Sequence, residues 1–169
     1  MRRPLEAVEQ PDGTVVTREV GDGRVLAHQH CLADEGTNPR RHSCDGEDRP
    51  PPLSWSAPPA GTSSLALILD DPDAPGGRFI HWLAWGIPPH TGGLGEGEAA
   101  PLEGRNDFGM VGYRGPCPPH GHRRHRYRFR LHAVTGDLGL APGAGVQELE
   151  RAVAAKVLAV AELVGTYQR

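Results

Sequence analysis

The 169-residue chain lacks the signatures that announce the familiar enzyme classes. It has no nucleophile elbow, no phosphate-binding loop of the Walker kind, no paired metalloprotease histidines on a helix and no dinucleotide glycine pattern. It also lacks an excess of basic charge: the formal net charge is -3, which argues against general affinity for nucleic acid or an acidic membrane surface. Long apolar runs are missing too. Met1 to Gln10 carries two arginines and then acidic residues, so neither a signal peptide nor a membrane-spanning segment is visible and a cytoplasmic location is expected. Cysteine is scarce. Cys31, Cys44 and Cys117 are odd in number, widely spaced and form no Cys-x-x-Cys pair, which fits free thiols in a reducing compartment and leaves one disulfide open.

What the chain has in abundance is glycine (23) and proline (17), which punctuate short apolar runs as in a turn-rich β architecture. The length suits one domain, read as residues 25–169 behind an N-terminal extension, residues 1–24. Thr14–Val20 and Arg24–Ala27 around Gly21-Asp22-Gly23 predict a hairpin. Leu32 to Pro52 is polar and proline-rich, and reads as an irregular surface loop. Leu65 to Leu69 is apolar on both faces, as in a buried central strand, and delivers Asp70 and Asp71 at its end. Phe79 to Gly86 alternates, placing Phe79, His81, Leu83 and Trp85 on one face. The tract Gly115-Pro116-Cys117-Pro118-Pro119-His120-Gly121 has to be a shaped loop.

The strand after that loop, His125 to Val134, is the most informative. Its odd positions, His125, Tyr127, Phe129, Leu131 and Ala133, make a core face, while Arg126, Arg128 and Arg130 make a basic, solvated one. His125 and Tyr127 therefore lie at the entrance end of a buried face. Val146 to Val164 carries an apolar stripe at helical spacing, closed by Gly165, and predicts a helix.

Asp71-Pro72-Asp73-Ala74-Pro75, followed by His81 and later His125, is the constellation with chemical content. Two imidazoles can donate to a phosphate or carboxylate while an aspartate orients one of them; the Tyr127 hydroxyl is a neutral donor, and backbone N–H groups near Gly115 can complete an anion nest. Each residue also has a plain explanation: a core histidine, a turn-capping aspartate or a buried tyrosine. His120, His122 and His125 have no strong metal spacing, and the arginines from Arg123 to Arg130 have no stacking aromatics on their own face. No cofactor, metal ligand or nucleic-acid partner is therefore assigned.

These residues resemble the phosphatidylethanolamine-binding family, the Raf kinase inhibitor-like group of bacterial type. The resemblance rests on Cys44-Asp45-Gly46-Glu47, Pro51-Pro52-Leu53-Ser54-Trp55, Asp71-Pro72-Asp73-Ala74-Pro75 and His81-Trp82. It continues in Gly115-Pro116-Cys117-Pro118-Pro119, His125-Arg126-Tyr127 and Leu163-Val164-Gly165-Thr166-Tyr167. It implies a mainly β, sandwich-like fold of antiparallel sheets with a short C-terminal helix. It also implies a pocket for phosphate, acetate or a phosphoethanolamine-like head group, formed by Asp71, His81, His125 and Tyr127 with Pro75, Gly115 and Pro116 at the rim. A cis bond before Pro75 is part of the same pattern. The expected role is a non-enzymatic anion-binding module. Its alternatives are an inhibitor of a protein kinase or serine protease, or a phosphoester hydrolase; a homodimer is left open.

Overall fold

The computed structural model describes residues 37–169, and before them the backbone of three strands, β1 (Leu5–Glu9), β2 (Val15–Glu19) and β3 (Ala27–Gln29). After a short 3-10 turn at Arg40–His42, the remaining elements are β4 (Leu53–Trp55), β5 (Ser64–Asp71), β6 (Phe79–Ile87), β7 (Gly93–Leu94), β8 (Leu102–Glu103), β9 (His125–Val134), α1 (Val146–Ala154) and β10 (Val157–Tyr167). A five-stranded sheet in the order β10-β9-β5-β6-β8 faces a three-stranded sheet, β3-β4-β7; β1 and β2 pair with each other, and every ladder is antiparallel.

Two apolar layers follow from the alternation of β5. Leu65, Leu67 and Leu69 point into the sandwich with Trp55, Trp82, Tyr127, Phe129 and Leu163. Ala66 and Ile68 point the other way, against Leu149 and Val153 of α1. Burying side chains such as Leu67, Leu69 and Phe129 this fully contributes about 2 kcal/mol each, which fixes the register of the central strands.

Strand β6 departs from the expected alternation. Leu69 pairs with Trp82 and Asp70 with Ile80, so His81 is the extra residue of a β-bulge. As a result Leu83 and Trp85 face the helix, whereas His81 shares the sandwich side with Tyr127. A second irregularity, between Leu65 and Leu67, falls opposite Gly86, whose φ of 66° suits a glycine.

Four other expectations are corrected. Strand β2 pairs back with β1, and β3 joins β4 instead; the upstream strand offers a five-residue ladder where Arg24–Ala27 offers four residues, and Gly21-Asp22-Gly23 lies outside the described residues. The predicted helix ends at Ala154, and the chain turns back as β10. There Ala161, Leu163, Gly165 and Tyr167 are buried in strict alternation, and a long ladder to β9 outweighs a helical stripe. The segment before Pro52 is no mere surface loop, since Asn38, His42 and Ser43 are buried. Among the described residues no peptide bond is cis, so the bond before Pro75 is trans; the turn is closed by Gly77 N–H donating to the Ala74 carbonyl. Among the described residues no helix is long and apolar enough to cross a membrane.

Candidate functional site

The ends of β5, β6 and β9 meet at one edge of the sandwich. Asp71 is the last residue of β5, and its carboxylate serves two neighbours: Oδ1 accepts the Asp73 N–H at 2.8 Å, and Oδ2 accepts Nδ1–H of His125 at 2.8 Å. The turn-capping and imidazole-orienting readings of Asp71 are thus both realised. With Nδ1 committed, His125 has Nε2 left for a ligand. Residues 125 and 127 lie on the same strand face, so Tyr127 follows His125 inward.

His81 is set beside Tyr127 by the bulge, their ring centroids 5.3 Å apart and edge to face. Its Nδ1–H donates to the Arg114 carbonyl at 2.8 Å, so Nε2 is again the remaining ring nitrogen. Burial pushes the His81 pKa below its usual range, only partly offset by that hydrogen bond and by the Asp71 charge. Burial, and then the Asp71 charge, push the Tyr127 phenol far above its ordinary value, so it stays a hydroxyl donor. That hydroxyl is buried close enough to the Asp71 carboxylate and the Cys117 backbone to feel both, but outside full hydrogen-bonding geometry with either.

The wall opposite these rings is the loop after Gly112. Arg114 N–H donates to the His81 carbonyl, and Pro116 accepts the Cys44 N–H at 3.1 Å. The expected anion nest at Gly115 does not form, because the Gly115 N–H donates to the chain's own carboxylate, Asp48 Oδ1, at 2.6 Å. Gly115 is required for space instead: a Cβ there would stand 1.9 Å from the His42 carbonyl oxygen. Pro116 is buried in this wall, whereas Pro75 is exposed on the turn after Asp71.

The cysteines are also corrected. Cys44 and Cys117 are joined in a disulfide with Cα atoms 5.4 Å apart, so spacing in sequence misled where folding brought distant loops together. Cys31 lies outside the described residues.

The even positions of β9 are not simply solvated. Asp70, fully buried, accepts from Arg128 Nε at 2.8 Å, Arg130 Nη2 at 3.0 Å and Arg78 Nε at 2.5 Å. Glu150 on α1 adds an ion pair to Arg78 at 2.7 Å. The solvent rim is left to Arg126, in a bidentate pair with Asp73, and to the exposed Arg123 and Arg124 just before the strand.

Sequence reasoning gave no role to Arg114, Asp48, His42 or Phe108. Phe108 is 40% exposed and packs edge to face on both His81 (5.3 Å) and Phe79 (4.9 Å), forming an apolar lip. The sharp turn of Asn106-Asp107-Phe108-Gly109 is organised by Asn106 Oδ1 accepting from the Phe108 and Met110 N–H groups. The other three act through backbone groups or long-range pairs that no local pattern reveals. Among the described residues, no three His, Cys, Asp or Glu side chains converge as a metal site would require.

This geometry has known relatives. Residues 28–168 match the family model described as Phosphatidylethanolamine-binding protein. A UPF0098 protein of Methanothermobacter thermautotrophicus is 47% identical over 147 residues, covering 83% of this chain and 96% of its own. A Mycobacterium tuberculosis protein named as a lipoprotein, LppC, is 43% identical over 140 residues, covering 81% of this chain and 69% of its own. The crystal structure of a phosphatidylethanolamine-binding protein homologue from Chlamydia trachomatis superposes with a TM-score of 0.83 at 33% identity, covering 88% of this chain and 99% of that one. With its sandwich of antiparallel sheets and single short helix, the chain belongs to the phosphatidylethanolamine-binding protein family.

Proposed function

We propose that this protein binds a small anionic group, phosphate-like or carboxylate-like, at Asp71, His81, His125 and Tyr127, and serves as a regulatory binding module for ligands or partners that carry such a group. The observation that carries the reading is the buried Tyr127 hydroxyl, which meets Asp71 and the Cys117 backbone only outside full hydrogen-bonding geometry, beside two imidazoles whose Nδ1 atoms are already anchored. A buried donor without a partner costs about 1–3 kcal/mol, and an anion accepting from it would remove that cost. Protonated at Nε2, the imidazoles would add two charge-assisted donors. The family's members in general bind ligands and regulate other proteins.

Binding rather than turnover is favoured, because the sulfur of Cys117 is committed to a disulfide and cannot act as a nucleophile. The same disulfide supports residence in an oxidising compartment over the cytoplasmic location expected from the N-terminus. Alkylation of thiols in intact cells before lysis tests this: Cys44 and Cys117 should escape alkylation and react only after reduction.

The test of function is an NMR titration with inorganic phosphate and with phosphoethanolamine. His81 and His125 ring signals should shift together and saturate, and their failure to move sinks the proposal. A phosphoester panel run in parallel would overturn the non-enzymatic reading if turnover appeared and vanished in His125→Ala.

A further inference from the structure

We propose that the Cys44–Cys117 disulfide is a positioning element of the anion site, so that reducing this one bond weakens phosphate binding. The proposal rests on the anion-binding reading above, but its structural half stands on its own.

The wall that carries Arg114 is not part of any sheet. Between Tyr113 and Arg124 no residue belongs to a strand, and Pro116, Pro118 and Pro119 have no N–H with which to join one. The loop is held by attachments to residues 42–48 instead. Tyr113 Oη donates to the His42 carbonyl at 2.6 Å, Arg114 pairs with Asp48 at 2.8 Å, Gly115 N–H donates to Asp48, and Cys44 N–H donates to Pro116. The disulfide is the one covalent tie among them, across a sequence separation of 73. Its effect reaches His81 directly: Arg114, three residues from Cys117, both donates to and accepts from His81.

Breaking the tie moves the wall. Two thiol sulfurs need van der Waals separation where a covalent bond stood, and at Gly115 the backbones of the two segments are already so close that no Cβ would fit. Relief comes by the loop moving out, which draws the Arg114 carbonyl away from His81 Nδ1. The imidazole then loses the bond that fixes its tautomer and ring orientation.

The reaction is ordinary exchange with a dithiol reductant. A thiolate of the dithiol attacks Cys44 Sγ; the S–S bond breaks and Cys117 leaves as a thiolate, favoured by Arg169 Nη1 at 3.4 Å. The second thiolate of the dithiol then releases Cys44 and closes its own disulfide. Two electrons pass to the protein, and the two dithiol protons end on Cys44 and Cys117. Both cysteines are half-buried rather than sealed.

Linkage makes the effect reciprocal: if the oxidised form binds phosphate more tightly, phosphate must stabilise the disulfide by the same factor. A tenfold preference lowers the disulfide's reduction potential by about 30 mV.

The experiment uses the full chain in a Cys31→Ser background to prevent exchange. Phosphate affinity and histidine ring 15N signals are measured oxidised, after dithiothreitol, and after reoxidation. His132, equally placed in the core with Nδ1 bonded to the Ala66 carbonyl, is the internal control for intact packing. Reduction is expected to weaken phosphate binding at least fivefold and to perturb His81 while His132 stays unchanged, with recovery on reoxidation. A Cys44→Ser/Cys117→Ser variant should reproduce the reduced state. Unchanged His81 signals on reduction overturn the proposal, as does unchanged phosphate affinity with the disulfide open. An oxidised protein that ignores phosphate refutes the anion reading instead, and the His81 response still decides whether the disulfide positions that ring.

Discussion

Asp70 and Asp71 are chain neighbours whose carboxylates serve opposite faces of one sheet. Asp70 gathers Arg78, Arg128 and Arg130 on the helix side, while Asp71 holds His125 at 2.8 Å on the sandwich side. The alternation of a strand makes this possible, and it couples a stabilising cluster to the site through a single peptide unit.

Asp70→Asn should therefore destabilise the fold more than any change at the rim. Burial alone would raise the Asp70 pKa, but hydrogen bonds from Arg128 and Arg78 outweigh it, so the group is a carboxylate at neutral pH. Removing that charge leaves Arg128 without its carboxylate and Arg78 and Arg130 sharing Glu150, a loss on the order of 3 kcal/mol. Urea unfolding would measure it. Arg126→Ala, at an exposed pair, should cost under about 1 kcal/mol.

Tyr127→Phe should separate stability from binding. Deleting a buried hydroxyl that lacks a hydrogen bond of full geometry in the protein is expected to change stability by no more than about 1 kcal/mol. Phosphate affinity should fall about tenfold, the worth of one hydrogen bond to an anion. Calorimetric titration beside thermal denaturation reads both quantities, and a variant that lost stability but kept affinity would show the hydroxyl to be structural.

Acidification should act on folding and on binding in opposite directions. Burial lowers the pKa of His42, His81 and His132 below the ordinary imidazole value of 6.5. Between that value and the lower native ones the unfolded chain binds more protons, so stability is full above about pH 6.5 and declines as pH falls through the native pKa values. Asp70 and Asp73, both lowered, add a further loss below the ordinary carboxylate range; for Asp73 the hydrogen bond from Arg126 is the main cause. Phosphate binding, by contrast, needs His81 protonated at Nε2 and should strengthen toward acid. Titrations in two buffers of different ionisation enthalpy should show proton uptake on binding, and its absence would remove His81⁺ from the account.

Removing the disulfide should also lower global stability. For a closure spanning a separation of 73, chain entropy sets the loss at up to about 4 kcal/mol, read as a lower urea midpoint for Cys44→Ser/Cys117→Ser.

The legible parts of the fold were those written in a period of two. β9 begins and ends where its alternation does, and its odd residues are buried as read. β5, apolar on both faces, is the central strand. What misled was competition between patterns: Leu149, Val153, Val157, Val160 and Val164 fit a helix, but pairing with β9 claims everything after Lys156. The site was half legible. Asp71, His125 and Tyr127 follow from strand ends and parity, whereas His81 arrives by a bulge, and a bulge has no signature in hydrophobic spacing. The wall was illegible for a different reason. Gly115, Asp48 and the disulfide are contacts between loops, and loops meet only once the sheets have set their distance.

The bulge in β6 has a genetic consequence. Strike His81 from the strand and Ile80, Trp82, Leu83, Ala84 and Trp85 fall into unbroken alternation between the two apolar layers. The scaffold would lose a kink and the site would lose a ring. A three-nucleotide deletion would thus separate architecture from recognition, because the apolar layers on either side of the sheet close without His81 while the site does not.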